Sequence, residues 1–173
     1  VRAVIAQLEQ EGLVETIWHR GSRVIKLDDH DLDELFDLRL SLDPLAIRSL
    51  AGKVSEDVVA ELHRLAEVID THAHHVDNRL DVTNADLDFD EAIFRPTNNK
   101  RLLKIWRKLR AQLTLLLATR KSNPTYLKTV GHEHVELSTA LADGAFDDAK
   151  TLVRDHIEVV FTQIRSQRES QEP

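Results

Sequence analysis

Cysteine and methionine are both absent from this chain of 173 residues. Without cysteine there is no disulfide framework, and a reducing compartment is compatible with the sequence. Without methionine the chain is expected to begin inside a longer protein. No apolar run approaches the roughly 18 residues of a membrane-spanning helix, and no signal-peptide pattern opens the chain, so a cytoplasmic protein is expected. Also missing are a Gly-rich phosphate loop and a Ser-His-Asp constellation. No Glu stands three residues before any histidine, as a Glu-x-x-His di-metal bundle would require. An enzyme is therefore not expected. What is present is ordinary for a globular protein of one to two domains, with 42% apolar residues.

The charge is unevenly placed. Residues 1–27 hold Arg2, Arg20, Arg23 and Lys26 against Glu9, Glu11 and Glu15, a balance of +1; the whole chain is −7, so the remainder carries −8. Phosphate contacts need Lys and Arg, which makes the acidic body a poor nucleic-acid surface. If DNA is bound, residues 1–27 are expected to bind it. Their pattern agrees. Val1, Val4, Ile5 and Leu8 recur at helical spacing and Gly12 stands where a helix ends. The β-rich runs Leu13–Trp18 and Ser22–Ile25 flank His19-Arg20-Gly21 as a hairpin tip. A short helix and a hairpin with a basic tip form the second half of a winged helix-turn-helix.

After the polar hinge Asp28-Asp29-His30-Asp31, any of whose carboxylates could cap a helix, every segment reads helical. The first helix of the body carries Leu32, Leu35, Phe36 and Leu42, with Pro44 expected to kink or restart it. Gly52 ends it and Ser55 opens the next. A third covers about 84–94 and stops at Pro96. Asn98 or Asn99 caps a long helix reaching Arg120, which Ser122-Asn123-Pro124 breaks. Two more follow, from about Tyr126 to Ala142 and from about Phe146 to Arg168. The expected fold is mainly α: part of a winged helix-turn-helix at 1–27, then an antiparallel all-α bundle of about six helices at 28–173.

Ligand-type side chains fall on the apolar faces of that bundle. His156 lies within the stripe of Leu152, Val153, Val160 and Ile164. His134 shares a face with Val130, Leu137 and Leu141. Asp86 and Asp90, at i and i+4, lie on or beside the face of Val82, Phe89 and Ile93. Two carboxylates and two imidazoles converging in one core suit a divalent first-row ion such as Zn, Ni, Mn or Fe, and a cation would offset the cost of buried carboxylates. The alternative is a partly exposed Asp86 or Asp90 with core histidines that are merely hydrogen-bonded. Arg39, near the Leu35/Leu38/Leu42 face, is either a fork for a carboxylate ligand or half of a surface ion pair with Asp43. His72, His74 and His75, near Asp70 and Asp77, read as solvated surface.

These residues resemble the GntR superfamily of bacterial transcription regulators, in its FadR-type branch with a helical FCD domain. Val1-Arg2-Ala3-Val4-Ile5, Gly12-Leu13-Val14 and Arg20-Gly21-Ser22-Arg23-Val24 are similar to that family's recognition helix and wing. Asp37-Leu38-Arg39 through Asp43 resembles its L-R-x-x-L-E helix, with Asp for Glu. Asp86 to Asp90 with Asn99 to Leu102 resembles D-x-x-F-H…N-x-x-L. Glu133-His134, Asp143-Gly144, Ala149 and His156 resemble E-H…G-D…A…H, with Gly and Asp exchanged. The resemblance implies a ligand-responsive DNA-binding regulator, a repressor acting as a homodimer on operator DNA. It implies metal ligands at Asp86, Asp90, His134 and His156, a small carboxylate effector at Arg39, and DNA contacts from Arg2, Arg20 and Gly21. Position 90 departs from the pattern, since the family has His there. The implied metal is Zn, Ni or Mn, with a metal-free site as the alternative. The two helices that precede the recognition helix in the family are missing, so Leu8, Leu13 and Trp18 are expected to lack packing partners and the DNA reader to be incomplete. The other readings of the chain are a metal-dependent enzyme on the bundle and a helical interaction module with no small ligand.

Overall fold

A computed structural model describes residues 1–50, 52, 54–73, 79–118 and 124–170. The N-terminal part is α1 (Arg2–Gln10) followed by β1 (Val14–Ile17) and β2 (Gly21–Val24). Gly12, at φ 72°, reverses the chain after α1, and the Leu13 N–H returns to the Leu8 carbonyl at 2.9 Å. The strands pair antiparallel with Val14 opposite Val24 and Ile17 opposite Gly21. His19 (φ 62°) and Gly21 (φ 84°) supply the left-handed backbone of the tip. Cross-strand pairs Arg23–Glu15 (2.7 Å) and Thr16–Ser22 (2.8 Å) hold the ribbon. No residue of α1 is buried. Leu8 and Leu13 are half-buried, whereas Val1 and Trp18 are 98% and 85% exposed.

Among the described residues the body has six α-helices: α2 (Asp29–Leu50), α3 (Glu56–Ala73), α4 (Arg79–Phe94), α5 (Lys100–Ala118), α6 (Pro124–Ala142) and α7 (Phe146–Glu169). Asp28 and Asp31 cap α2 reciprocally: the Asp31 N–H donates to Asp28 Oδ1 at 2.9 Å and the Asp28 N–H to Asp31 Oδ2 at 2.8 Å. Of the kink or restart expected at Pro44, the restart does not occur: α2 is one helical span with the buried Pro44 inside it. The ring removes one backbone donor from the helix. Helix α4 starts at Arg79, five residues earlier than its apolar pattern indicated. A 3₁₀ turn at Arg95–Thr97 separates it from α5. There Thr97 Oγ1 donates to the Phe94 carbonyl at 2.8 Å, and Asn99 Oδ1 accepts the Leu102 N–H at 3.1 Å as the α5 cap. Helix α6 begins at Pro124 itself, a residue tolerated in a first turn. His74, His75, Asp77, residues 119–123 and the tail 171–173 lie outside the described residues.

Helix α3 packs against α4 and α6, α2 against α7, α6 against α7, and α4 against α5. One continuous core includes Trp106, fully buried and stacked on Phe94 with centroids 4.7 Å apart. Among the described residues, hydrogen bonds from α7 and α5 reach the N-terminal part. Arg168, near the end of α7, donates to Asp29 Oδ1 at 2.6 Å and to the Leu27 carbonyl at 3.1 Å. Gln112 Nε2 on α5 donates to the Gly12 carbonyl at 3.4 Å.

Candidate metal and effector site

Four helices of the body each turn polar side chains into the core at one level. Helix α2 contributes Arg39 and Asp43, α4 Asp86 and Asp90, α6 His134, and α7 His156, all of them at most 7% exposed. Asp86, His134 and His156 form a group whose ligand-type atoms all lie within 4.8 Å of one another. Asp86 Oδ1 is the meeting point, 2.9 Å from His134 Nε2 and 3.6 Å from His156 Nε2.

The opposite ring nitrogens define what faces Asp86. His134 Nδ1 lies 2.7 Å from the Val130 carbonyl, an oxygen that can only accept, so Nδ1 carries the proton. His156 Nδ1 lies 2.9 Å from Glu133 Oε2, where the same logic applies to an ionised carboxylate. In their neutral forms both rings therefore direct an Nε2 lone pair toward one carboxylate oxygen. Ligating histidines are held this way, with the far N–H given to a carbonyl or carboxylate. With both rings neutral Asp86 Oδ1 has no donor among the described residues; a proton on His134 Nε2, 2.9 Å away, supplies one.

Asp90 behaves differently from Asp86. Its Oδ2 accepts from Arg39 Nη2 at 2.6 Å, while Arg39 Nε and Nη2 also donate to Asp43 Oδ2 at 3.1 and 2.7 Å. The guanidinium lies over the Trp106 ring, 5.3 Å from its centroid. The i, i+4 carboxylates take different partners: Asp86 meets the histidines and Asp90 bonds the buried cation. The Arg39–Asp43 pair, in sequence one of two readings of Arg39 and then placed at the surface, is formed but buried.

Electrostatics follow from three buried carboxylates and one guanidinium. Burial pushes the Asp43 carboxyl up to about 7; Arg39 opposes this and Asp90 adds to it. Burial also raises Asp90, again against Arg39 and with Asp86. For Asp86, burial is outweighed by the hydrogen bond and charge of His134 and by His156 and Arg39, so its carboxyl is lowered. For His134, burial disfavours the imidazolium, but the hydrogen bond and charge of Asp86 win and its pKa is raised. The hydrogen bond from His156 lowers Glu133. With neutral imidazoles the buried cluster lacks two positive charges, which protons or one divalent cation would supply.

Among the residues singled out from sequence, Arg2, Arg20 and Gly21 are exposed on α1 and at the ribbon tip, far from this cluster in the chain. Glu133 was read as part of a motif and not as a site residue. Its signal was its position next to His134, which does not reveal that its partner would be His156.

Comparison with known proteins agrees with this architecture. Residues 34–159 match the family model of the FCD domain. The chain is 28% identical over 160 residues to the "Probable D-xylose utilization operon transcriptional repressor" of Paenarthrobacter nicotinovorans, covering 91% of this chain and 68% of that protein. It is 22% identical over 171 residues to the gluconate operon transcriptional repressor of Bacillus licheniformis, covering 90% and 70%. Among solved structures, E. coli McbR/YncC superposes with a TM-score of 0.83 at 19% identity, over 96% of this chain and 84% of that one. A GntR-family transcriptional regulator from Pseudomonas syringae pv. tomato gives 0.67 at 18%, over 98% and 71%. A helix and wing followed by this helical bundle define the class, the GntR superfamily of transcription regulators. Within it, the chain belongs to the FCD-domain family.

Proposed function

We propose that this regulator is ligand-responsive. In this reading residues 28–173 are the sensing and dimerising domain and residues 1–27 belong to the DNA-reading domain. The body holds a divalent ion through Asp86, His134 and His156. A small organic acid completes the coordination and meets Arg39, and the resulting shift in a homodimer changes the spacing of its two recognition helices. Those helices must fit successive major grooves about 34 Å apart, with Arg2 reaching from α1 and Arg20 and Gly21 from the wing. Repression of an operator is the favoured outcome, since both curated relatives are named repressors.

One observation carries the metal reading: two Nε2 atoms, each with its tautomer held by a partner on the far side, converge on the oxygen Asp86 Oδ1, at 2.9 and 3.6 Å. The donor set suits a borderline ion such as Zn, Ni or Mn. Asp90 is engaged by Arg39, so three protein ligands leave positions for solvent or effector. Arg39 already uses Nε and Nη2; an effector carboxylate meets Nη1 or displaces Asp90.

Titration of metal-stripped protein with Zn, Ni and Mn by calorimetry, followed by small carboxylic acids, tests this. One ion per chain is expected, lost in His134→Ala and in Asp86→Ala, with acids binding more tightly to the metal-loaded form. No ion binding by the wild type, or full binding by both variants, would overturn the site.

A further inference from the structure

Helix α5 reverses the charge of the body around it. It carries Lys100, Arg101, Lys104, Arg107, Lys108 and Arg110 and no acidic residue, so the body's −8 would be −14 without it. Two of these cations are neutralised by α4. Arg107 bonds Glu91 at 3.0 Å, and Arg110 bonds Asp88 at 2.7 Å and Glu91 at 3.4 Å. Lys100, Arg101, Lys104 and Lys108 are exposed and form no ion pair with any described residue.

Lys100, Lys104 and Lys108 recur at i, i+4 and i+8, which places them in one row about 12 Å long. That row borders a surface groove of about 480 Å³ whose other wall is α1, through Gln7, Gln10 and Glu11. Gln112 of α5 bonds the Gly12 carbonyl just past the end of α1. The C-terminal parts of the two helices are therefore neighbours. The lysine row and the C-terminal half of α1 thus line one groove, with the recognition helix as its other wall.

We infer that this lysine row is a second DNA contact, made by the body itself, that grips the phosphate backbone beside the groove read by α1. This rests on the DNA-reading function proposed above. Each strand presents a phosphate about every 3.4 Å of axis, so a 12 Å row faces three to four of them. Such contacts position a protein without reading sequence. The acidic remainder of the body keeps its other faces off the duplex, so the row also orients it. Glu11, on the opposite wall, is held by Gln7 Nε2 at 3.0 Å.

The test is fluorescence anisotropy of the full-length protein on an operator duplex and an unrelated duplex across a salt series. The wild type is compared with the triple variant Lys100→Gln, Lys104→Gln, Lys108→Gln, with the same three changed to Arg, and with a charge-matched control, Arg48→Gln, Lys150→Gln, Arg154→Gln. Each lost phosphate contact lowers the slope of log K against log salt by about 0.9. The triple Gln variant is expected to lower it by close to 3 and to lose the same fold in affinity on both duplexes. The Arg variant and the control are expected to keep the wild-type slope. An unchanged slope in the Gln variant, or an equal loss in the control, would overturn the inference and leave the DNA-reading function standing. Absence of salt-dependent binding by the wild type would remove both.

Discussion

His134 Nε2 and Asp86 Oδ1 stand 2.9 Å apart, yet the neutral ring has no proton to place between them, because Nδ1–H is given to the Val130 carbonyl. Two acceptors at that distance repel unless a proton or a cation joins them. The pair is therefore a place where proton and metal compete.

That competition has a sign. His134 is raised above its ordinary 6.5 and Asp43 is pushed up to about 7. Both hold a proton more tightly in the folded than in the unfolded chain, so their stabilising contribution is present at low pH and is lost as pH rises through the folded values. Asp86 and Glu133 are lowered, from 3.8 and 4.5, and their contribution is lost as pH falls below the ordinary carboxylate range. Melting in EDTA is therefore expected to show greater stability at pH 5.5 than at pH 8. With Zn present the trend is expected to reverse, since deprotonated imidazole binds the ion. An EDTA-treated protein more stable at pH 8 would contradict the assigned proton on His134.

Asp90 is expected to be dispensable for the ion. In Asp90→Asn, Zn affinity measured by calorimetry should stay within about threefold, while His156→Ala loses at least a hundredfold. Asp90→His, which puts back the residue of the family pattern, should tighten binding. Loss of the ion in Asp90→Asn would make Asp90 a ligand after all.

Glu133 orients His156 through the 2.9 Å bond to Nδ1. Removing such a partner commonly lowers metal affinity 10–100-fold. Glu133→Gln is expected to fall in that range without changing the one-ion stoichiometry. A change under twofold would leave Glu133 with no part in the site.

Gly131 tests the packing that sets α6 in place. A Cβ there would lie 2.5 Å from Asp70 Cβ and 2.7 Å from Asp70 Cα on α3. Backbone cannot give way as a side-chain tip does, so Gly131→Ala should destabilise by about 1–3 kcal/mol or more by urea unfolding. His134, one turn further along α6, would shift with it, and metal affinity should fall in parallel.

Much of this was legible in the residues. The apolar stripes located the six helices of the body, and His134, His156, Asp86, Asp90 and Arg39 were all recognisable as polar residues on buried faces. Helix faces specify which side of a cylinder a residue occupies, not which neighbour it meets. That is why Asp86 and Asp90 looked equivalent, and why a fork for an effector and a surface pair with Asp43 both stood as readings of Arg39. The choice between them is made by tertiary charge, through a guanidinium arriving from α2. At Pro44 local propensity allowed a restart, and the buried residue instead lies within one helical span.

That unbroken α2 has a mechanical consequence. Arg39 is ten residues from Asp29, about 15 Å of rod, and His156 is twelve residues from Arg168, about 18 Å. The far ends of both rods are fastened to each other where Arg168 grips Asp29 and Leu27. A stiff lever about 15 Å long converts a tilt of about 4° into roughly 1 Å of travel at its tip. The coupled pair would pass a sub-ångström rearrangement around Asp86 on to the hinge at Leu27 as a directed stroke.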